Sequence, residues 1–170
     1  MKRALTLTLF ALGAASAAPA NVGSLPVTVE PGTQLRVLSA AGLAQAFPNA
    51  AARPAALYMT PDRKVSVSFQ WRQSSLAPNE VKLLLTQYPA AIRKQVPNVT
   101  RLSPDLVKIG GQQWAQFIFT TPGQGGERRH ELLMTSLQNR PLVITVDSSV
   151  ADYSANEAAV RNLVNSVRFK

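Results

Sequence analysis

No cysteine occurs anywhere in the 170 residues. Disulfides, thiol nucleophiles, thiolate metal ligands and a lipid anchor attached through cysteine are therefore excluded. Stability must come from packing and backbone hydrogen bonding. Histidine is nearly as scarce, with His130 the only one. Any Ser–His–Asp triad would have to use it, and a zinc site would need carboxylates for its other ligands. Acidic residues number nine against eighteen lysines and arginines, giving a net charge of +9. So few carboxylates leave little material for paired-carboxylate hydrolysis. Asp62, Asp105, Asp147 and Asp152 offer no sequence-local reason to prefer one as a histidine partner.

Long apolar runs are missing too. The longest, residues 4–14, follows Lys2 and Arg3 and is too short for a resident spanning helix, which needs about 20 residues. With the small-residue motifs Ala15-Ser16-Ala17 and Ala18-Pro19-Ala20 behind it, this run predicts a signal peptide over residues 1–20. The expected location is periplasmic or extracellular, not as a lipoprotein, with no transmembrane segment in the mature chain. The remaining length suits one domain, read as an N-terminal part (21–56) and a core (57–170). Basic residues are scattered, never more than two in a row, and do not interleave with aromatics as in single-strand grooves. That pattern argues against specific nucleic-acid binding and for a general attraction to anionic surfaces.

Along the mature chain, "LPVTVEPGTQLRVL" predicts strands at Val27–Val29 and residues 35–38, joined at Pro31-Gly32. "SAAGLAQAFPNAAARP" reads as a short helix or an irregular crossing. A strand from Leu57 to Met59 reaches a turn at "TPDRK". In "VSVSFQW", Val65, Val67, Phe69 and Trp71 alternate with polar residues, the period of a strand packed on one face. Val81, Leu84, Leu85, Tyr88, Ile92 and Val96 then form a helical stripe, with Pro78 in its first turn, Ser75 as a cap and a kink or break expected at Pro89. The region from Ile109 to Asp147 reads as a three-stranded antiparallel meander. A final helix is predicted with Ser154 and Glu157 at capping-box spacing, burying Val160, Leu163, Val164 and Val167, with Arg161 among the outward residues.

The segment "TTPGQGGERRHELL" (residues 120–133) invites a chemical reading, and its parts answer differently. Gly123, Gly125 and Gly126 match neither the dinucleotide nor the phosphate-loop pattern, and a strand follows where those motifs need a helix. The glycines instead suit positive φ in a tight hairpin turn. His130 lacks the second histidine four positions on that a metalloprotease helix requires. Glu127 and Glu131 beside the arginines read as a solvated, salt-bridged strand end. No Gly-x-Ser-x-Gly elbow occurs, and "DSSVAD" lacks the ligand spacing of a calcium loop. No cofactor, metal or catalytic residue is assigned. Arg128, Arg129 and His130 remain as possible partner or anion contacts. Trp71 and Trp114 sit at core-like spacing, but would mark a binding groove if they face solvent.

The order of pieces carries a resemblance. A signal, a strand hairpin, a long helix ending in "YPAAIRKQV", a glycine pair before "QQWAQFIFTT", then "ELLMTSLQNRPLVITV" and a helix closing in "LVNSVRF" resemble the PsbP-like family and the related exported bacterial DcrB-like proteins. It spans residues 57–169. It implies an α+β fold, an α/β/α sandwich with a central, mainly antiparallel sheet, and an accessory or binding role outside the cytoplasm. The photosystem members help retain ions and dock to a membrane complex, but none of their functional residues maps position by position here. The leading expectation is a non-enzymatic exported domain that binds a protein or anionic envelope component. Two alternatives are an envelope hydrolase with a site near His130 and a binder of anionic membrane or cell-wall polymer.

Overall fold

A computed structural model describes residues 18–170; the predicted signal segment lies outside the described residues up to residue 17. Strands β1 (Ala20–Asn21), β2 (Val27–Val29), β3 (Arg36–Val37), β4 (Ala56–Met59), β5 (Ser66–Trp71), β6 (Thr100–Ile109), β7 (Gln112–Gly123), β8 (Gly126–Leu137), β9 (Arg140–Ser149) and β10 (Arg168–Phe169) form two sheets. Helices α1 (Ala40–Ala46), α2 (Leu84–Gln95) and α3 (Val150–Asn165) complete the described chain. The main sheet has seven strands in the order β3-β4-β5-β9-β8-β7-β6, all antiparallel. A small sheet, β1-β2-β10, joins the two ends of the described chain. The architecture is α+β, with the main sheet between helical layers.

Period-two patterning decides which side chains go where. On one face, Val65, Val67, Phe69, Trp114, Leu133, Ile144 and Val146 join Tyr153, Val160, Leu163 and Val164 of α3 and the small sheet in the larger core. On the other, Ala115, Phe117, Phe119, Met134 and Val143 meet Leu76, Val81 and Ile92 in a smaller core under α2. Tyr88 of α2 lies against Phe117 at 5.4 Å between ring centroids.

Four local expectations need correction. First, β6 was not foreseen. It is an edge strand, mostly exposed, with Pro104 inside it, positive φ at Arg101 (51°) and a register shift between Thr100 and Ser103. An edge tolerates such a proline because only one side needs ladder donors, and the same features erase the alternation. Second, the helix runs through Pro89 unbroken. Upstream, a 3₁₀ segment (Pro78–Leu83) gives way to α winding at Leu84, and Pro89, lacking an N–H, makes no bond back to the Leu85 carbonyl. Third, that segment is capped at Ala77, not Ser75: Ala77 N–H donates to Glu80 Oε2 at 2.6 Å. Fourth, α3 starts at Val150 with Ser149 as its cap, accepting from Asp152 N–H at 3.0 Å, while Ser154 sits inside the helix and donates to the Val150 carbonyl. Both serines have the right spacing, and the end of β9 selects the earlier one.

Candidate functional site

The β7–β8 turn closes through the Gly123–Gly126 pair, with φ of 83° at Gly125 and 134° at Gly126. Only glycine adopts these angles without strain, which accounts for Gly125 and Gly126, while a Cβ at Gly123 would come 2.7 Å from Arg128 Cγ. Arg128 points into solvent, and Glu127 pairs with Arg101 at 3.2 Å across the end of the sheet. Beyond the turn, successive residues of β8 face opposite sides.

Arg129 and Glu131 face α3. Glu131 is completely buried, so the reading of it as a solvated strand end is corrected. Gln116 Nε2 donates to its Oε1 at 2.6 Å, Arg129 to its Oε2 at 2.9 Å, and Arg161 grips both oxygens with its two terminal nitrogens. Arg161 therefore faces inward, contrary to the helical pattern; its Nε also donates to the Tyr153 hydroxyl at 2.8 Å. The Arg129 guanidinium lies 3.6 Å above the Tyr153 ring. Burial pushes the Glu131 carboxyl up, but the hydrogen bonds and charges of Arg161 and Arg129 outweigh it and hold the group below the usual carboxylate range. Burial alone would lower Arg161, yet Glu131 keeps it above its ordinary value. A buried carboxylate with this many donors is a structural centre, charged and satisfied.

His130 faces α2. Its Nδ1 lies 2.5 Å from Asp147 Oδ1 and its Nε2 lies 2.9 Å from Thr121 Oγ1. With Asp147 accepting from Nδ1–H, Nε2 is left to accept the Thr121 hydroxyl proton. Phe119 stacks on the imidazole at 5.0 Å. Strand register makes this line: His130 is opposite Phe119 on β7 and opposite Asp147 on β9. A cavity of about 260 Å³ adjoins it, walled by Tyr88, Ile92, Val96, Phe119 and Thr145. Hydroxyl, imidazole and carboxylate stand in the order used for acyl transfer. The surroundings differ, however. Asp147's side chain is more exposed than His130's (36% against 20%), and the backbone of β8 is laddered to strands on both sides.

The two tryptophans separate. Trp114 is 0% exposed; its indole N–H donates to the Ile109 carbonyl at 3.2 Å and its ring lies 6.2 Å from Phe169. It is core, and its place in an exposed aromatic surface is withdrawn. Trp71, at the end of β5, is half-buried under the Arg140 guanidinium, 4.1 Å from the ring centroid. It walls a cavity of about 720 Å³ with Arg53, Arg72, Arg140 and residues of the Ala50–Ala52 turn. Of the sites brought together, sequence reasoning missed Thr121, Arg53 and Arg140, left Asp147 unchosen among four aspartates and faced Arg161 the wrong way. Alternation signalled only that His130 and Glu131 must point apart.

No protein-family model matches the chain, and no curated protein matches it in sequence. Solved structures do match in shape. Cyanobacterial PsbP (CyanoP) from Synechocystis sp. PCC 6803 superposes with a TM-score of 0.59 at 10% identity, over 96% of this chain and 98% of that one. The fold is PsbP-like. LpqN of Mycobacterium tuberculosis, described as involved in cell envelope biogenesis, shares this PsbP-like fold at a TM-score of 0.58 and 13% identity, over 90% of each chain. The Ran-binding protein Mog1p of Saccharomyces cerevisiae matches at 0.50 and 9% identity, over 91% of this chain and 96% of its own. Among the described residues no helix is long and apolar enough to cross a membrane, and no cluster of three or more potential metal ligands occurs.

Proposed function

We propose that this chain is a non-enzymatic exported accessory domain that acts by binding an envelope protein or surface component. The observation that carries this reading is the state of the polar groups around the β7–β8 hairpin. Arg129, Glu131 and Arg161 are engaged with one another inside the fold, and His130 is held between Asp147 and Thr121. Arg128, exposed at the tip, has no ion-pair partner among the described residues. Charge left free at the tip of a hairpin suits an acidic patch on a partner. The fold is shared with a protein named for envelope biogenesis and with one named for binding another protein, which supports the same reading. Affinity capture from the native envelope fraction tests it. A protein retained by the wild-type chain and lost with Arg128→Glu is the expected result; retention of nothing sinks the proposal.

The Thr121–His130–Asp147 line favours a second reading, an envelope hydrolase. An assay against a panel of activated esters decides it. Turnover abolished by both Thr121→Val and His130→Ala would establish the hydrolase, and no turnover above buffer would leave the binding domain.

A further inference from the structure

The cavity beside Trp71 lies at the opposite end of β5 and β9 from His130. Trp71 pairs with Leu142 at one end of that ladder, and Ser66 pairs with Asp147, His130's partner, at the other. The cavity's volume of about 720 Å³ is within the range of small-ligand sites. Its charges are one-sided. Arg53, Arg72 and Arg140 line it, with no aspartate or glutamate among the lining residues. Among the described residues, none of the three forms a salt bridge, although Arg101, Arg129 and Arg161 elsewhere each have one.

Two of these arginines are also fixed in place. Arg53 donates from Nε to the Phe47 carbonyl at 3.1 Å, and Arg140 donates from Nε to the Arg72 carbonyl at 3.1 Å. Bonding through Nε leaves the two terminal nitrogens of each guanidinium without a protein acceptor, and both side chains are half-buried. Arg140 is steadied further by the Trp71 ring beneath it. The Trp71 indole N–H is itself buried without an acceptor. The terminal nitrogens of Arg53 and Arg140 stay open to solvent, so an anion entering the cavity meets two guanidinium groups that have no counter-charge among the described residues. Pre-oriented forks also lose little freedom on binding.

We infer that this cavity is a binding site for a small phosphate-bearing ligand, gripped by Arg53 and Arg140 with its organic part against Trp71. Phosphate is favoured over carboxylate by oxygen count. A carboxylate has two oxygens and fills one guanidinium fork, whereas a phosphate or pyrophosphate group presents enough oxygens and charge for both. The same chemistry occurs in soluble phosphate esters and in lipid headgroups. This site is separate from the hairpin, so it stands or falls independently of Arg128 and the capture experiment.

The test is titration of the purified chain with inorganic pyrophosphate, followed calorimetrically and by tryptophan emission, in which buried Trp114 serves as a constant background. The expected result is one saturable site, weakened roughly tenfold by Arg53→Gln and by Arg140→Gln and changed less than twofold by Arg128→Gln. Circular dichroism confirms folding. Should Arg140→Gln unfold, Arg53→Gln carries the test, since its side chain makes a single internal bond. Absence of saturation, equal loss with Arg128→Gln, or citrate binding as tightly as pyrophosphate would overturn the inference. Vesicles of phosphatidic acid in phosphatidylcholine, against phosphatidylcholine alone, identify the source. Binding to them lost with Arg53→Gln assigns a lipid headgroup, and binding to pyrophosphate alone assigns a soluble ester.

Discussion

The two faces of the main sheet carry unequal loads. Under α3, the larger core is sealed and holds a fully buried carboxylate between two arginines. Under α2, the core is smaller, the helix residues Leu84, Leu85 and Tyr88 are only partly buried, and His130 looks into an open cavity. Arg129, His130 and Glu131 are consecutive, yet alternation along β8 delivers the outer two to the sealed face and the middle one to the open face. A short charged run in a strand is therefore two environments, and its residues should not be expected to act together.

The largest test of this contrast is Glu131→Leu. Removing the carboxylate strands Arg129 and Arg161 without their counter-charge, and loss of one partner in a buried ionic network costs about 3–5 kcal/mol. Urea unfolding measures it. Glu127→Gln, which breaks the exposed pair with Arg101, should cost no more than about 1 kcal/mol. A loss below about 1 kcal/mol for Glu131→Leu would mean that the sealed face does not depend on its ionic centre.

Truncations sharpen the same difference in apolar terms. Leu163 of α3 is 0% exposed, and Leu163→Ala should destabilise by about 3 kcal/mol through lost burial and an unfilled cavity. Leu85 of α2 is half-buried, so Leu85→Ala should cost about 1 kcal/mol. Equal losses would erase the proposed asymmetry.

Acid unfolding gives a smaller, pH-dependent signal. Because the Glu131 carboxyl is lowered in the fold, the unfolded chain takes up that proton first. Its contribution to stability is complete above the ordinary glutamate value of about 4.3 and disappears as pH falls through the folded value. Each unit of lowering corresponds to about 1.4 kcal/mol. Unfolding free energy measured between pH 7 and 3 should decline less steeply in Glu131→Leu than in the wild type.

The strands legible from sequence were those whose side chains alternate visibly between two faces. In β5, Val67 and Phe69 alternate with Ser66 and Ser68, and in β7, Phe117 and Phe119 face away from Trp114. The fold class followed from these and from the order of elements. What stayed hidden depends on register and docking. Glu131 meets Gln116 across a hairpin and Arg161 thirty residues on; a charged residue in an alternating strand gives no sign that such partners await it inside. Arg161 looked outward because helical spacing ranks residues by polarity, and a buried ion pair reverses that ranking. The arginines of the other cavity, Arg53, Arg72 and Arg140, lie just past the 3₁₀ turn, just past β5 and at the start of β9, element ends that periodicity does not bring together.

The smallest expected effect concerns His130, and it decides what the open face is for. His130 is partly exposed, and Asp147 is already solvated. His130→Gln replaces two hydrogen bonds at a surface that water can reach, so it should cost no more than about 1 kcal/mol in urea unfolding. Capture of the envelope partner should persist, because Arg128 stands at the turn on its own. A variant that unfolds as readily as Glu131→Leu would show that the open face is a second structural centre. One that is stable yet loses the partner would move the binding surface from the hairpin tip to the cavity beneath α2, with Tyr88, Ile92 and Val96 as the next residues to change.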